Sequence, residues 1–367
     1  MNIGIIIGRI GGVDGVALET EKWIDVLRSM GHSVYTLSGQ FQERPMDPET
    51  ETLVSEMSFF SPESFWSQKK AFFYPETDPA ELIEHLNLYS KVIYKKMLNW
   101  ISERKIDLLI SENASALPSH LEMGMAINKA VQKTGLPTIT HDHDFAWERG
   151  DRYVSPHKEI NDFVAEIFPL RAPNAVHAVI NTHAQDTLKD RFGRDSVNVP
   201  NVMDFNQAFG AQNEKNEHLA EHLGFKTDDI LLFQITRIVR RKGIEAAIQL
   251  IHELNDKKIK LVITGNYADD AGSAYYNELV NQIHELKLGR QVTFAHHLFH
   301  NKGLSNNGMQ RFSLSDAYAR ATACTYFSTY EGFGNAFVEA CLLYTSPSPR
   351  DCVSNLVCRL LLEKRGG

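Results

Sequence analysis

The chain has 367 residues, 43% apolar and 23% charged, the balance of a water-soluble protein long enough for two domains with separate cores. A formal charge of −8 argues against a general nucleic-acid binder, because phosphate backbones select basic faces. Four cysteines, Cys324, Cys341, Cys352 and Cys358, exclude a disulfide scaffold and match no zinc spacing.

The longest early apolar run, Ile5 to Ile7 between glycines, falls far short of the ~20 residues of a membrane span. Met1-Asn2-Ile3-Gly4 has no basic segment leading into an apolar one, so a cytoplasmic location is expected. Asn2 to Gly8 reads as a strand buried in a parallel sheet. A glycine-rich turn, Arg9 to Gly15, follows. Leu18, Trp23, Leu27 and Met30 then recur at helical spacing, with Gly31 where a C-cap belongs. His32 to Leu37 predicts the next strand, which makes a strand–turn–helix–strand unit with a right-handed crossover. Residues 40–80 carry little periodicity and are expected to form a partly ordered excursion.

Further along, the pattern predicts helices at Pro79–Arg104, Leu117–Thr134 and Thr182–Arg191. Strands are expected at Leu108–Ser111, Thr138–His141, Ala175–Ile180 and Ser196–Val199. Pro200-Asn201-Val202-Met203-Asp204 reads as an interdomain hinge. A second series follows it, with strands at Ile230–Ile235, Lys260–Gly265, Val292–Ala295 and Cys324–Ser328. Its helices are expected at Gly243–Leu254, Tyr275–Leu288 and Ser313–Ala321. The expected fold class is α/β, with two doubly wound Rossmann-like domains facing across a cleft at residues 1–200 and 201–340.

From Cys341 the chain reads Cys-Leu-Leu-Tyr-Thr-Ser-Pro-Ser-Pro-Arg-Asp, which resembles the translation of a transposase-type sequencing adapter. Asn355 to Lys364 fits the continuation of that adapter, and Arg365-Gly366-Gly367 fits a run of G bases. Residues 341–367 are therefore expected to be a non-native tail and are excluded from fold reasoning. The tail holds four basic and two acidic residues, which leaves −10 for the rest. On this reading the second domain is incomplete and the 367-residue chain inactive.

Arg237 and Lys242 stand five positions apart where a strand turns into a helix, an arrangement able to converge on one diphosphate. Solvated charges are the bland alternative. Ser328 to Ala340 is richer. Its glycines permit close backbone approach to a ligand, and Glu339 follows Glu331 by eight positions near a helix start. His141-Asp142-His143-Asp144 offers two imidazoles and two carboxylates. In a strand the histidines share one face and the aspartates the other, which weighs against a metal site. Arg149 and Arg152, near Trp147 and Gly150, suit an anionic acceptor, against a salt-bridged helix start as the alternative.

Arg237-x4-Lys242-Gly243, followed about ninety residues later by Glu331-Gly332-Phe333-Gly334-x4-Glu339-Ala340, resembles the family-4 retaining glycosyltransferases of the GT-B fold. The hinge Val199 to Asp204 resembles their Val-Pro-Asn-Gly-Val-Asp, with Val202 and Met203 in place of the commoner pair. The likeness runs from Ile3 to Ala340; in the first half it rests on the glycine loop and Thr140-His141-Asp142. It implies a hexosyltransferase in which Arg237 and Lys242 hold the departing nucleotide diphosphate. Glu331 would stand beside the sugar and Glu339 would grip the ribose. Gly332, Phe333, Gly334 and Asn335 would contact sugar hydroxyls, Gly11 and Gly12 would face the diphosphate, and His141 would line the cleft, with His143 the runner-up.

The resemblance further implies a UDP- or GDP-type sugar donor and no metal or other cofactor, while Arg149 and Arg152, without a basic amphipathic membrane face, predict a small soluble acceptor. A nucleotide-sugar epimerase of the same architecture is the main rival, and a non-catalytic sugar-binding homologue the other. A dinucleotide dehydrogenase is disfavoured, because Gly11 to Gly15 is not Gly-x-Gly-x-x-Gly and no acidic residue ends the second strand.

Overall fold

The computed structural model describes residues 1–12, 14–42, 44–203, 210–266, 274–299, 311–331 and 333–342. The chain divides into two units, Met1–Val202 and Met203–Gly367.

The first unit is built on seven strands: β1 (Asn2–Ile7), β2 (Ser33–Ser38), β3 (Glu51–Leu53), β4 (Leu108–Glu112), β5 (Thr138–Asp142), β6 (Ala175–Val179) and β7 (Ser196–Asn198). Every pairing is parallel and the order is β3-β2-β1-β4-β5-β6-β7, the doubly wound arrangement with strand order reversing at β1. Its helices are α1 (Gly15–Ser29), α2 (Pro62–Phe72), α3 (Pro79–Glu103), α4 (Leu121–Thr134), α5 (Lys158–Ile167) and α6 (Thr182–Phe192).

The unbroken apolar run in β1 has a packing cause. Ile3, Ile5 and Ile7 join one buried cluster with Ile24 of α1, whereas Ile6 joins another with Met97 and Trp100 of α3. Both faces of the strand are covered, so neither can be polar. Gly4 belongs to the α3 face, and a Cβ there would stand 2.6 Å from the Trp100 ring.

Two expectations are corrected. Residues 40–80 are not a loose excursion: they contain the edge strand β3 and the helix α2, capped by Ser61 with Pro62 in its first turn. The inner face of α2 is lined by Ser64, Ser67 and Gln68 as well as Ala71 and Phe72, so burial leaves no apolar period. The face of α1 is also shifted from the expected stripe. Ala17, Glu19, Thr20 and Ile24 are buried, while Met30 is exposed.

The second unit carries β8 (Ile230–Gln234), β9 (Ile259–Ile263), β10 (Val292–Phe294) and β11 (Ala323–Cys324), all parallel in the order β10-β9-β8-β11. Its helices are α7 (Ile244–Leu254), α8 (Ala274–Glu285), α9 (Leu314–Arg320) and α10 (Asn335–Leu342), besides two single turns at Glu214–Glu217 and Leu219–His222. Two buried clusters flank this sheet. Ile244, Ile248 and Ile251 of α7 pack with Leu261 and Ile263, and Phe312, Ala317 and Tyr318 pack with Phe233 and Val262. The α/β architecture with parallel doubly wound sheets is thus the one expected. Cys341 and Leu342 complete α10, and the rest of the suspected tail lies outside the described residues.

Candidate active site

In the second unit the site grows from the carboxyl end of β8, where parallel α/β sheets present their ligands. After Gln234 the chain makes a 3-10 turn at Arg240–Lys242, passes Gly243 in the left-handed region (φ 60°), and enters α7. Glycine is required twice over at this corner, because a Cβ would also lie 2.4 Å from the Phe327 carbonyl oxygen. The buried amide of Gln234 ties the two loops together: its Nε2 donates to the Lys242 carbonyl at 2.8 Å, and its Oε1 accepts from Thr325 Oγ1 at 3.1 Å. Thr329 N–H donates to the Arg241 carbonyl at 2.9 Å.

That frame brings Lys242 Nζ onto Glu331 Oε1, while Arg241 Nη1 donates to Glu331 Oε2 and to the Tyr330 carbonyl, each at 3.1 Å. Burial, together with Arg241 and Arg237, lowers Lys242 to about 8 against the pull of Glu331. Burial acts to raise Glu331, but Lys242, Ser328 and Arg241 outweigh it and keep the carboxylate charged. Two cations, Lys242 and Arg241, therefore hold one carboxylate, with Arg237 close enough to act on Lys242, and the positive balance favours a further anion. Arg240, by contrast, turns away to Glu278 at 2.7 Å.

Lys242 and Glu331 are thus brought together, and Arg237 lies near enough to Lys242 to help lower its pKa. Arg241 was missed, although the run Arg240-Arg241-Lys242 marked it. Phe333 and Gly334 follow Glu331, with Gly334 at φ 85° beside the Tyr326 hydroxyl, and Asn335 opens α10. Gly332 lies outside the described residues. Glu339 is the fifth residue of α10, beyond its first turn, and its Oε2 accepts from the buried Tyr318 hydroxyl at 2.9 Å. Burial and this carboxylate push the Tyr318 hydroxyl well up, so it stays a donor.

In the first unit the carboxyl ends of β4 and β5 form a second centre. Glu112 and His141 are register partners across the sheet, and Glu112 Oε2 lies 2.9 Å from His141 Nδ1. The same oxygen stands 3.7 Å from His143 Nε2, and the two imidazole centroids are 4.4 Å apart. Trp23 of α1 stacks on His141 at 4.2 Å. Burial works against the Glu112 charge, yet His141 and His143 hold its carboxyl down at about 2. Burial likewise opposes protonation of His141, and Glu112 overrides it, raising the imidazole above its ordinary value.

The expected alternation holds, since Asp142 faces the other way and bonds His177 Nδ1 at 2.7 Å. Asp144 accepts from Asn113 Nδ2 at 2.8 Å and pairs with Arg149. Glu112 escaped the sequence reading because a carboxylate closing a strand gains meaning only from the histidine beside it in the sheet.

The two arginines proposed for an acceptor are committed to different partners. Arg149 is compensated by Asp144. The Arg152 guanidinium sits 4.8 Å from the centroids of both Phe73 and Tyr153, with Nη2 at 3.5 Å from Gln68 Oε1. Its buried Nη1 has no hydrogen-bond partner among the described residues. Gly11 and Gly12 owe their conformations (φ 86° and 69°) to close packing on Gln42: a Cβ at Gly11 would lie 2.2 Å from its carbonyl oxygen.

Residues 215–345 match the family model described as glycosyl transferases group 1. Over 93% of its length the chain is 32% identical to a mannosylglucosylglycerate synthase of Petrotoga mobilis, covering 80% of that protein. A mannosylglucosylglycerate synthase of Thermotoga maritima is 30% identical, with 93% of this chain and 78% of the relative covered. Among solved structures, the sucrose-phosphate synthase of Thermosynechococcus elongatus superposes with a TM-score of 0.63 at 13% identity, over 93% of this chain and 78% of that one. Anabaena HepE in complex with UDP and glucose superposes with a TM-score of 0.59 at 16% identity, over 94% and 79%. The Arg-x4-Lys-Gly turn that brings Arg241 and Lys242 onto Glu331 therefore sits in a protein of known kind, and the chain belongs to the group 1 glycosyltransferases of the GT-B fold.

Proposed function

We propose that the protein transfers a mannosyl group, with retention at the anomeric carbon, from a nucleotide-diphosphate sugar to a small glycerate-bearing acceptor. The cationic cluster on Glu331 carries this reading. Arg237 and Lys242 are assigned the departing diphosphate, with Arg241 beside them. Because these cations meet the developing charge, the leaving group requires no divalent metal. Glu331, held charged by the same cations, is assigned the sugar hydroxyls, with the Phe333–Asn335 backbone beside it. Glu339 takes the ribose, and Tyr318 fixes its orientation from below. His141 and the Gly11-Gly12 turn are assigned to the sugar and diphosphate from the first unit, with His143 as the alternative histidine.

Both curated relatives are named for making mannosylglucosylglycerate, which supports a mannosyl donor and an anionic glucosylglycerate-type acceptor. Arg152, whose Nη1 has no hydrogen-bond partner among the described residues, suits the acceptor carboxylate better than Arg149 does. GDP-mannose, UDP-glucose and UDP-mannose should be offered with glucosylglycerate, and the anomeric configuration of any product read by NMR. Product only from the mannosyl donors supports the reading, and an inverted anomer overturns the retaining mechanism. Conversion of donor without acceptor would favour the epimerase alternative.

A further inference from the structure

We propose that Glu112, His141 and His143 form a binding site for a divalent cation of the zinc class, and that filling it withdraws His141 from sugar transfer. The three side chains are buried, and one donor atom from each lies within 4.8 Å of the others. Glu112 Oε2 stands 2.9 Å from His141 Nδ1 and 3.7 Å from His143 Nε2. Ligand atoms around an ion with bonds of about 2.0–2.1 Å stand roughly 3.0–3.4 Å apart, so the Glu112–His141 pair would open slightly and His143 would draw in.

Glu112 Oε1 and His143 Nε2 are buried without hydrogen-bond partners among the described residues, a costly state that an ion would relieve. Two imidazole nitrogens and one carboxylate oxygen select zinc or cobalt over magnesium or calcium. The ligands are also held in place. Glu112 and His141 are fixed by sheet register, His141 by the Trp23 ring, and the His143 backbone by Asn113 Oδ1, which accepts its N–H at 3.1 Å. Asp142 is engaged with His177 and Thr140 and does not compete.

The blocking effect rests on the role assigned to His141 above, whereas cation uptake does not. The full chain, stripped of metal by chelator, should be titrated with cobalt chloride and followed by visible absorption. One ion per chain with d–d bands, displaced by zinc and absent from His143→Ala, is the expected result. Zinc should raise the melting temperature of the wild type progressively with its concentration, and magnesium should not. His143→Gln, which keeps a polar side chain, should lose that rise and serves if His143→Ala is unstable. Equal uptake by wild type and both variants, or no bands at all, overturns the site. Uptake with undiminished transfer by the zinc-bound chain overturns the blocking effect alone.

Discussion

Lys242 and Glu331, 89 positions apart in sequence, form a largely buried ion pair in the second unit. The pair is built from two loops joined through the Gln234 amide and the Arg241 contacts with Thr329 and Tyr330, so it depends on the sheet that presents both. Replacing Lys242 by Ala should cut turnover ~10²-fold or more, the scale of losing one preorganised charge donor. Lys242→Arg, which keeps the charge but not its shape, should recover part of the loss. Unchanged turnover in Lys242→Ala would remove it from the diphosphate site.

The lowered pKa of Lys242, about 8, sets a pH dependence. Its ammonium loses the proton as pH rises through 8, so kcat/KM for the donor should fall above that pH. A bound diphosphate raises the same pKa, which moves the corresponding fall in kcat to higher pH. For stability the sign is opposite. Between about 8 and the ordinary lysine value near 10.4, the unfolded chain binds the extra proton, so this group makes folding more favourable as pH rises. Glu331→Gln removes the partner that favours charge and should shift the kcat/KM limb downward, whereas Lys242→Arg should abolish it. A limb that stays put in both variants belongs to another group.

Gly243 and Gly31 both occupy the left-handed region, at φ 60° and 83°, but only Gly243 is crowded. A Cβ at Gly31 meets nothing within 4 Å among the described residues, so Gly31→Ala should cost about 1 kcal/mol of backbone strain alone. At Gly243 the Cβ collides with the Phe327 backbone, and Gly243→Ala should cost about 2–4 kcal/mol and weaken donor binding by parting the two loops. Thermal melts of the two variants, read with donor KM, compare them directly. Equal losses would mean that the Phe327 contact gives way freely.

The central strands were legible because β1 and β8 are covered on both faces, which leaves continuous runs such as Ile5-Ile6-Ile7 and Leu231-Leu232-Phe233, whereas the short edge strand β3, with Leu53 exposed, was not. The pairing of Arg237 with Lys242, proposed above for the diphosphate, was legible because both lie between β8 and α7 and need only local geometry. Helix α2 was not, because it buries Ser64, Ser67 and Gln68 and leaves Phe65 exposed, which reverses the usual pattern. Glu112 and Glu19 were missed for a related reason. A buried carboxylate is specified by its partners, and those of Glu19 (Lys22 and the Val202 N–H) include one 183 positions away. Glu112 finds His141 29 positions on, through a sheet register that no local period encodes.

Asn113 is the hinge of the first-unit centre. It follows Glu112 directly and holds φ 52°, a conformation asparagine tolerates better than most residues. Its Oδ1 accepts from the His143 and Asp144 N–H groups at 3.1 and 3.4 Å, and its Nδ2 donates to Asp144 Oδ1 at 2.8 Å. Local strain is thus exchanged for a clamp on the segment that carries both histidines. Asn113→Ala loses the clamp and keeps the strain, and should cost about 2–4 kcal/mol. Asn113→Gly also loses the clamp but relieves the strain, and should cost about 1–2 kcal/mol. The order of stability should therefore be wild type, Asn113→Gly, Asn113→Ala. Activity should follow a different order, because both variants free His143 from Asn113 and should lose turnover alike. Melting temperatures and turnover measured on the same preparations separate the two effects. Full activity in Asn113→Gly would show that the clamp serves folding alone.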